Sequence, residues 1–449
     1  MEFNTFTRKI FQKSRDIFEE AEIFRVESEN LKIGVFKGEL DKFSFSNTSG
    51  VSLRGILKGS PGYSYTEAID DKSVDILIEG ALSSAESVET DTRLTLPEAG
   101  ESYAAMPEPK NKLNSITTED KIKAMLQLEE KTLSRDSRIQ SVQECMYQEF
   151  KSRRIVRNSK GLDLEHSDEG GFAYVSVVSR NGTDTKTGSS YRLFRNPLEM
   201  DIDKMSEEAA EESLSMLRAS PVASGMYPAV IRYNVFAELL EAFSPIFSAD
   251  NVQKGLSGLK GNLGMEIASS GVTLIDDPFH KDGFSGSSFD DEGIPTSRKL
   301  IVESGVLRTY LHNIRTAEKD MTESTGNGFR TSYKTAIGVS PTNFYMEPGE
   351  HELEELLERA DGGILITKVA GIHSGLDTVS GDFSVQAQGY LIKKGKKEDP
   401  VNGITISGNF YDLLLHVEEI GSDLKFTLPG NGHFGSPSVL VGRISISGI

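Results

Sequence analysis

The second half of the chain sets the strictest limit on the fold. From Val272 to Gly448 it is written as short apolar runs broken by glycine: VTLIDD, SRKLIVESGVLRTYL, GGILITKV, GDFSVQAQGYLIKKGK, VNGITISG, DLKFTL and PSVLVGRISISG. Runs of this length, rich in Val and Ile and bounded by Gly and Asn, predict strands. So many in succession predict a strand-rich domain that is barrel-like or a rolled sheet, because an open sheet would leave unpaired edges. One run, FYDLLLHVEEI (410–420), predicts a helix among them. LIKKGKKEDP (391–400), with its lysines around a glycine, predicts a solvated hairpin tip.

The first half mixes helical and alternating patterns. Ile10, Phe11, Ile17, Phe18 and Ala21 recur at helical spacing and predict a helix over 5–24. Residues 24–58 alternate as hairpin strands do, and Val74, Leu77, Ile78, Ala81 and Leu82 predict a helix over 73–87. Residues 88–114 contain three prolines and no periodicity, which predicts a loop. Thr117 with Asp120 then reads as a helix N-terminus. Three strand-like runs follow, IQSVQECMYQEF, KSRRIVRNSKGLDLE and GGFAYVSVVSRNG, and Ser206 reads as the cap of a helix EEAAEESLSMLRA. Two short helices are expected at 235–247 and 248–263. The fold class is therefore α+β: an N-terminal α/β region of antiparallel strands and helices, and a strand-rich C-terminal domain. The division is an N-terminal α+β domain at 1–90, a linker at 91–114, a central α+β region at 115–222 and the C-terminal domain at 223–449.

Composition excludes several function classes. No run approaches the roughly 20 apolar residues of a spanning helix, so no membrane partner is expected. The N-terminus mixes both charges from its first residues, unlike a signal peptide. A single cysteine, Cys145, fits a reducing cytoplasmic setting. Net charge is −19 and the lysines and arginines are dispersed, so no nucleic-acid partner is expected.

A search for catalytic patterns finds none from chemistry alone. The seven histidines are His166, His280, His312, His351, His373, His416 and His433, and no two lie three to five positions apart. No helix turn can therefore present a paired-histidine zinc site. His351 opens an acidic amphipathic run, HELEELLERA, and reads as a helix start. GLSGLKGNLG (255–264) lacks the ending of a phosphate loop and reads as a turn. DDPFHKDGFSGSSFDDEG (276–293) gathers acids without the spacing of a calcium loop and reads as a polar loop.

Several ordered segments nevertheless carry a family resemblance. They are FSADNVQKGLSGLKGNLGMEIASSGVTLIDDP (247–278), GSSFDDEGIPTSRKLIVESGVLRTYLHNIRTAEK (286–319), STGNGFR (324–330) and, most specific, the stretch from GIHSGLDTVSGDFS at 371 to DLKF at 426. Together they resemble the TldD/PmbA metallopeptidase family, also known as putative modulators of DNA gyrase, on its PmbA (TldE) side. The resemblance implies a TldD-type catalytic subunit as partner, carrying zinc on an HExxxH helix with a further cysteine ligand near its C-terminus. It also implies proteolysis of small or unfolded polypeptides and the processing of peptide precursors by the pair.

This chain departs from that catalytic pattern. The stretch where the motif helix should lie, VFAELLEAFSPIFSADNVQKGLSGLKGNLG, contains no histidine, and PGNGHFGSPS (429–438) has His433 but no cysteine. No catalytic or metal-binding residue is therefore carried over, and no cofactor is expected in this chain; zinc is expected in the TldD-type partner. What the resemblance does carry over is a motif facing peptide or partner: His373, Ser374, Gly375, Ser380, Gly381, Asp382 and Phe383. Gly371, Gly375 and Gly381 are expected to supply backbone conformations closed to other residues, and Asp382 to brace the turn. The expected function is a non-catalytic subunit of a heteromeric zinc peptidase, able to form a homodimer when alone. The alternative is a protein-binding modulator of DNA gyrase or a related enzyme.

Overall fold

The structure, a computed structural model, describes residues 1–88, 92–100, 102–106 and 112–449. In chain order the first elements are α1 (Phe3–Ser14), β1 (Glu20–Phe36), β2 (Glu39–Leu57), β3 (Ser60–Thr66), α2 (Asp71–Glu86), α3 (Thr118–Ser134), β4 (Ile139–Asn158), β5 (Asp163–Asn181), β6 (Asp184–Phe194) and α4 (Ile202–Ser215). Next come β7 (Gly225–Ile231), α5 (Tyr233–Phe243), α6 (Ala249–Gln253), β8 (Leu274–Asp276), β9 (Lys299–Glu303), β10 (Val306–Leu307), α7 (Ile314–Asp320), β11 (Gly328–Phe329), β12 (Gly338–Val339) and β13 (Asn343–Met346). The last are α8 (Leu353–Arg359), β14 (Ile364–Ala370), β15 (Asp382–Lys393), β16 (Lys396–Asn409), α9 (Phe410–Leu415), β17 (Val417–Ile420), β18 (Lys425–Phe426), β19 (His433–Ser436) and β20 (Val439–Ser447).

The fold is α+β, as the sequence implies. The six N-terminal strands form one antiparallel sheet in the order β3-β2-β1-β4-β5-β6. Its strands are long because they serve three neighbours in succession. Odd-numbered residues of β1 enter one core at Ala21 and Ile23, beside α1 and α2, and another at Leu31, Ile33 and Val35, beside α3 and α4. Even-numbered residues face the C-terminal body: the Arg330 guanidinium lies 4.4 Å over Phe24, and Gly50 leaves room for the Tyr333 ring. In that body β16-β15-β14-β7-β20 close on themselves through a β16–β20 pairing, giving a five-strand barrel to which β17 is added. A second sheet, β10-β9-β8-β13-β19-β18, lies against it, and both share a core containing Phe236, Phe243, Phe344, Phe410 and Phe434.

Several sequence expectations are corrected. The helix expected over 5–24 ends at Ser14, and the chain is already paired as β1 from Glu20. Phe18 and Ala21 enter the same core as Phe6 and Ile10, which is why a helix, a turn and a strand together imitate one long periodicity. Asp201, not Ser206, caps α4; its side chain accepts from the Lys204 N–H, and Ser206 lies buried inside the helix. The helix expected at 248–263 is only Ala249–Gln253, and that expected at 410–420 gives way to β17 after Leu415. The run 151–165 is not a strand of its own: β4 continues to Asn158, turns, and returns as β5. The Thr117–Asp120 capping box, the helix at Asp71–Glu86 and the hairpin tip at Lys394–Gly395 stand as expected. The loop expected at 88–114 falls partly on 89–91, 101 and 107–111, which lie outside the described residues. Among the described residues no helix is long and apolar enough to cross a membrane.

The acidic segment 276–293 is a loop, but a buried one. Asp276, Asp290, Asp291 and Glu292 are each at most 3% exposed. Arg154 pairs with Asp291 at 2.9 Å, Arg54 with Glu292 at 2.7 Å and Lys299 with Asp276 at 2.9 Å. Through Asp291 and Glu292 the segment is thus the charged seam that fastens the N-terminal sheet to the C-terminal body, while the Lys299–Asp276 pair lies within that body.

Candidate functional site

Helix α5 is apolar on most of its circumference: Val235, Phe236, Ala237, Leu239, Leu240 and Phe243 are buried. Phe243 stacks on Phe410 with ring centroids 4.5 Å apart. The remaining face carries Asn234, Glu238 and Glu241, all only partly buried. Its N-terminus is tied to β14, since Arg232 and the Asn234 amide both donate to the Thr367 carbonyl, at 2.8 and 3.1 Å.

Other segments converge on that polar face. Lys368 of β14 acts electrostatically on Glu238, and His373, on a single helical turn at Ile372–Ser374, acts on Glu241. The turn at Gly430 passes so close that a Cβ there would stand 2.6 Å from Glu241 Oε1. From the N-terminal sheet, Tyr191 of β6 donates its hydroxyl to the Phe426 carbonyl at 3.3 Å, and Lys425 lies 4.7 Å over the Tyr233 ring. Burial is the main force on the two carboxyls. It raises Glu238 to about 7, with Glu241 pushing the same way and Lys368 and Arg232 opposing. It also raises Glu241, against the opposing charge of His373. A carboxyl near 7 exchanges its proton at neutral pH, which suits acid–base work or recognition of a cation.

The motif 371–383 folds as a compact loop with two ends. Gly371 and Gly381 have φ of +84° and +85°, conformations that favour glycine. Gly375 does not, having φ −105°; its constraint is space, because a Cβ would sit 2.3 Å from the Ser384 carbonyl oxygen. At the far end Asp382 accepts from the Asn409 amide and from Ser380 Oγ, both at 2.9 Å, and these bonds lower its pKa. The same Asn409 amide also donates to the Ser380 carbonyl at 2.8 Å, and its Oδ1 accepts from two N–H groups at the start of α9. Phe383 points into the barrel core and is 3% exposed. The structure therefore brings His373 to the α5 carboxyls, leaves Ser374 exposed beside it, and makes Ser380, Gly381 and Asp382 a brace. Glu238, Glu241, Lys368 and Tyr191 were not singled out by the sequence. Two acids three positions apart in an otherwise apolar helix were the available signal.

The zinc implied for the TldD-type subunit does not fit here. α5 has no histidine. His433 has both ring nitrogens engaged: Nδ1 accepts from the Phe284 N–H at 3.0 Å, and Nε2 donates to the Thr427 carbonyl at 2.8 Å. Among the described residues, no three His, Cys, Asp or Glu side chains are grouped so as to hold a metal ion.

A half-barrel sheet joined to a closed barrel, with α5 packed against β14, β18 and β19, defines a two-body α+β scaffold. Comparison with known proteins gives the family. Residues 21–85 match PmbA/TldA metallopeptidase domain 1, residues 111–217 its central domain and residues 224–448 its C-terminal domain. The chain belongs to the PmbA/TldD metallopeptidase family. It is 31% identical to a metalloprotease of Methanothermobacter thermautotrophicus over 66% of this chain and 65% of that one. It is 23% identical to the metalloprotease PmbA homolog of Buchnera aphidicola from Acyrthosiphon pisum, over 97% and 94% of the two chains. Among solved structures, a proposed modulator of a DNA gyrase from Thermotoga maritima superposes with TM-score 0.92 at 33% identity, covering 99% of this chain and all (100%) of that one. TldE from Thermococcus kodakarensis has the same fold, with TM-score 0.90 at 24% identity over 99% and 100%.

Proposed function

We propose that this chain is the PmbA/TldE-type, non-catalytic subunit of a heteromeric zinc peptidase acting on small or unfolded polypeptides. The observation that carries the reading is the polar face of α5. The helix that would bear the zinc motif in a catalytic subunit carries Glu238 and Glu241 and no histidine, and Lys368 and His373 act on those carboxyls from neighbouring segments. In this reading the TldD-type partner supplies zinc and the attacking water. This chain supplies the other wall, where Tyr191, Tyr233, His373 and the two carboxyls meet an extended peptide. A strand-like substrate suits such a wall, since main-chain bonding gives affinity without demanding one sequence. The setting is cytoplasmic, in keeping with one buried thiol.

The test is to purify the chain, measure its zinc and assay an unfolded peptide with and without a TldD-type subunit. The expected result is zinc-free protein, silent alone, that forms part of an active complex. Stoichiometric zinc with turnover by the lone chain would falsify the non-catalytic assignment. A stable complex with gyrase, with no peptidase activity in any mixture, would favour the modulator reading instead.

A further inference from the structure

The closed barrel has two ends, and α5 and the 371–383 motif occupy one of them. There β7 runs into α5, β14 runs into the motif, and β15 leaves it. At the other end β7 and β14 begin, and β15 turns through Lys394–Gly395 into β16. That end holds a mouth of about 680 Å³. Its floor is apolar: Val222 and Leu391 pack against the barrel core, and Val401 belongs to it. Its rim is polar, with Arg218, Ser220 and Asp399. Barrel mouths are recurrent small-molecule sites, and such sites span roughly 300–1,000 Å³.

One wall of the mouth is the connector between α4 and β7, and main-chain bonds hold it to the barrel. The Ser220 N–H donates to the Pro400 carbonyl at 3.4 Å, the Asn402 N–H donates to the Ser220 carbonyl at 3.3 Å, and the Ile449 N–H donates to the Val222 carbonyl at 2.9 Å. Gly448 passes so close that a Cβ there would stand 1.9 Å from the Val222 carbonyl oxygen. Where the connector begins, Arg218 has φ +70°, a left-handed conformation unfavourable to any side chain. Its main-chain N–H is fixed on Asp184 at 2.6 Å. Its guanidinium is exposed and has no partner among the described residues, whereas Asp399 is paired with Lys393. On a chain of net charge −19, an arginine left unpaired beside an apolar mouth is free to take a carboxylate from outside.

We propose that this mouth binds a short apolar peptide by its free C-terminal carboxylate, Arg218 taking the carboxylate and Val222 and Leu391 the side chains. Charge and polarity select that occupant. A planar guanidinium matches a carboxylate with two parallel hydrogen bonds. The apolar floor gains from covering a leucine-sized side chain. Ser220 and Asp399 add acceptors at the rim, which suit the N–H and ammonium groups of a peptide and have no counterpart on a fatty acid. The mouth lies at the end of the barrel away from α5, so it stands or falls independently of the peptidase reading.

Calorimetric titration of the full chain should show binding of leucyl-leucine, with its C-terminal amide weaker by roughly 10-fold or more. The amide carries the extra positive charge, so general attraction to an acidic chain would give the reverse order. Arg218→Gly removes the guanidinium and also relieves the positive φ. It should therefore unfold no more easily than wild type, while its affinity for leucyl-leucine falls by roughly 10-fold or more. Arg218→Lys should keep part of the affinity. The inference is overturned if the amide binds as tightly as the free dipeptide, or if no binding is seen at about 10 mM dipeptide. It is equally overturned if R218G binds like wild type, which would put the dipeptide elsewhere, α5 included, or if decanoate binds more tightly and displaces it.

Discussion

Arg54 and Glu292 lie 238 positions apart and meet at 2.7 Å, with both side chains 3% exposed. The same guanidinium reaches Glu22 on the neighbouring strand at 2.5 Å, and Glu22 also takes Arg330 of the C-terminal body at 2.6 Å. The two bodies of the molecule are therefore joined through charges that water does not reach. Removing one partner leaves the others buried and uncompensated. Arg54→Leu should destabilise the chain by about 3 to 5 kcal/mol, read as a lower urea midpoint. Adding Glu292→Gln should recover part of that loss, because one uncompensated charge is removed. A loss near zero for Arg54→Leu would mean that the seam is solvated in solution.

The motif glycines separate conformational strain from crowding. At Gly371 an added Cβ meets only Ser374 Oγ, at 4.0 Å, so Gly371→Ala should cost about 1 to 2 kcal/mol through its positive φ alone. At Gly381 the same φ is combined with a Cβ 2.5 Å from the Tyr411 ring. Gly381→Ala should therefore cost clearly more, and the extra loss should shrink in a Tyr411→Ala background. Equal costs at the two sites would remove the role given to the Tyr411 contact.

These contacts also mark how far the sequence could be read. Local rules found α2, the Thr117 capping box and the lysine hairpin, because caps and turns are decided within a few residues. They misplaced the end of α1, because Phe18 and Ala21 keep the spacing of a helix while serving a turn and a strand. The acids at 276–293 read as a polar loop because their partners, Arg54 and Arg154, are more than a hundred positions away. The family was legible from the ordered segments after residue 247. The α5 carboxyls were not, because their significance depends on His373, Lys368 and Gly430 arriving beside them.

His433 predicts an acid-sensitive stability. Burial lowers its pKa to about 4 from an ordinary 6.5, and the neutral ring bridges Phe284 and Thr427. Between pH 6.5 and 4 the unfolded chain binds this proton and the folded chain does not. The contribution is therefore complete above 6.5 and lost as pH falls toward 4, amounting to about 3 kcal/mol. His433→Gln should be less stable than wild type at pH 7.5, and the gap should narrow by pH 4.5. A gap independent of pH would show that the ring titrates normally.

Glu238 predicts the opposite dependence. Its carboxyl is raised from 4.5 to about 7, mainly by burial, with Glu241 adding to the rise. The folded chain then holds a proton that the unfolded chain has released, so stability declines as pH rises from 4.5 to 7. Glu238→Gln keeps the shape and removes the ionisation. Relative to wild type it should gain roughly 2 to 3 kcal/mol between pH 5 and pH 8, measured by urea unfolding at each pH. The carboxyl signal of Glu238, followed by NMR, should have its midpoint near 7. Glu241→Gln should lower that midpoint, because the neighbouring negative charge is gone. A midpoint near 4.5 in the wild type would mean that water reaches this face of α5 freely, and the face would then lack the dry, poised carboxyl on which its proposed part in gripping a peptide depends.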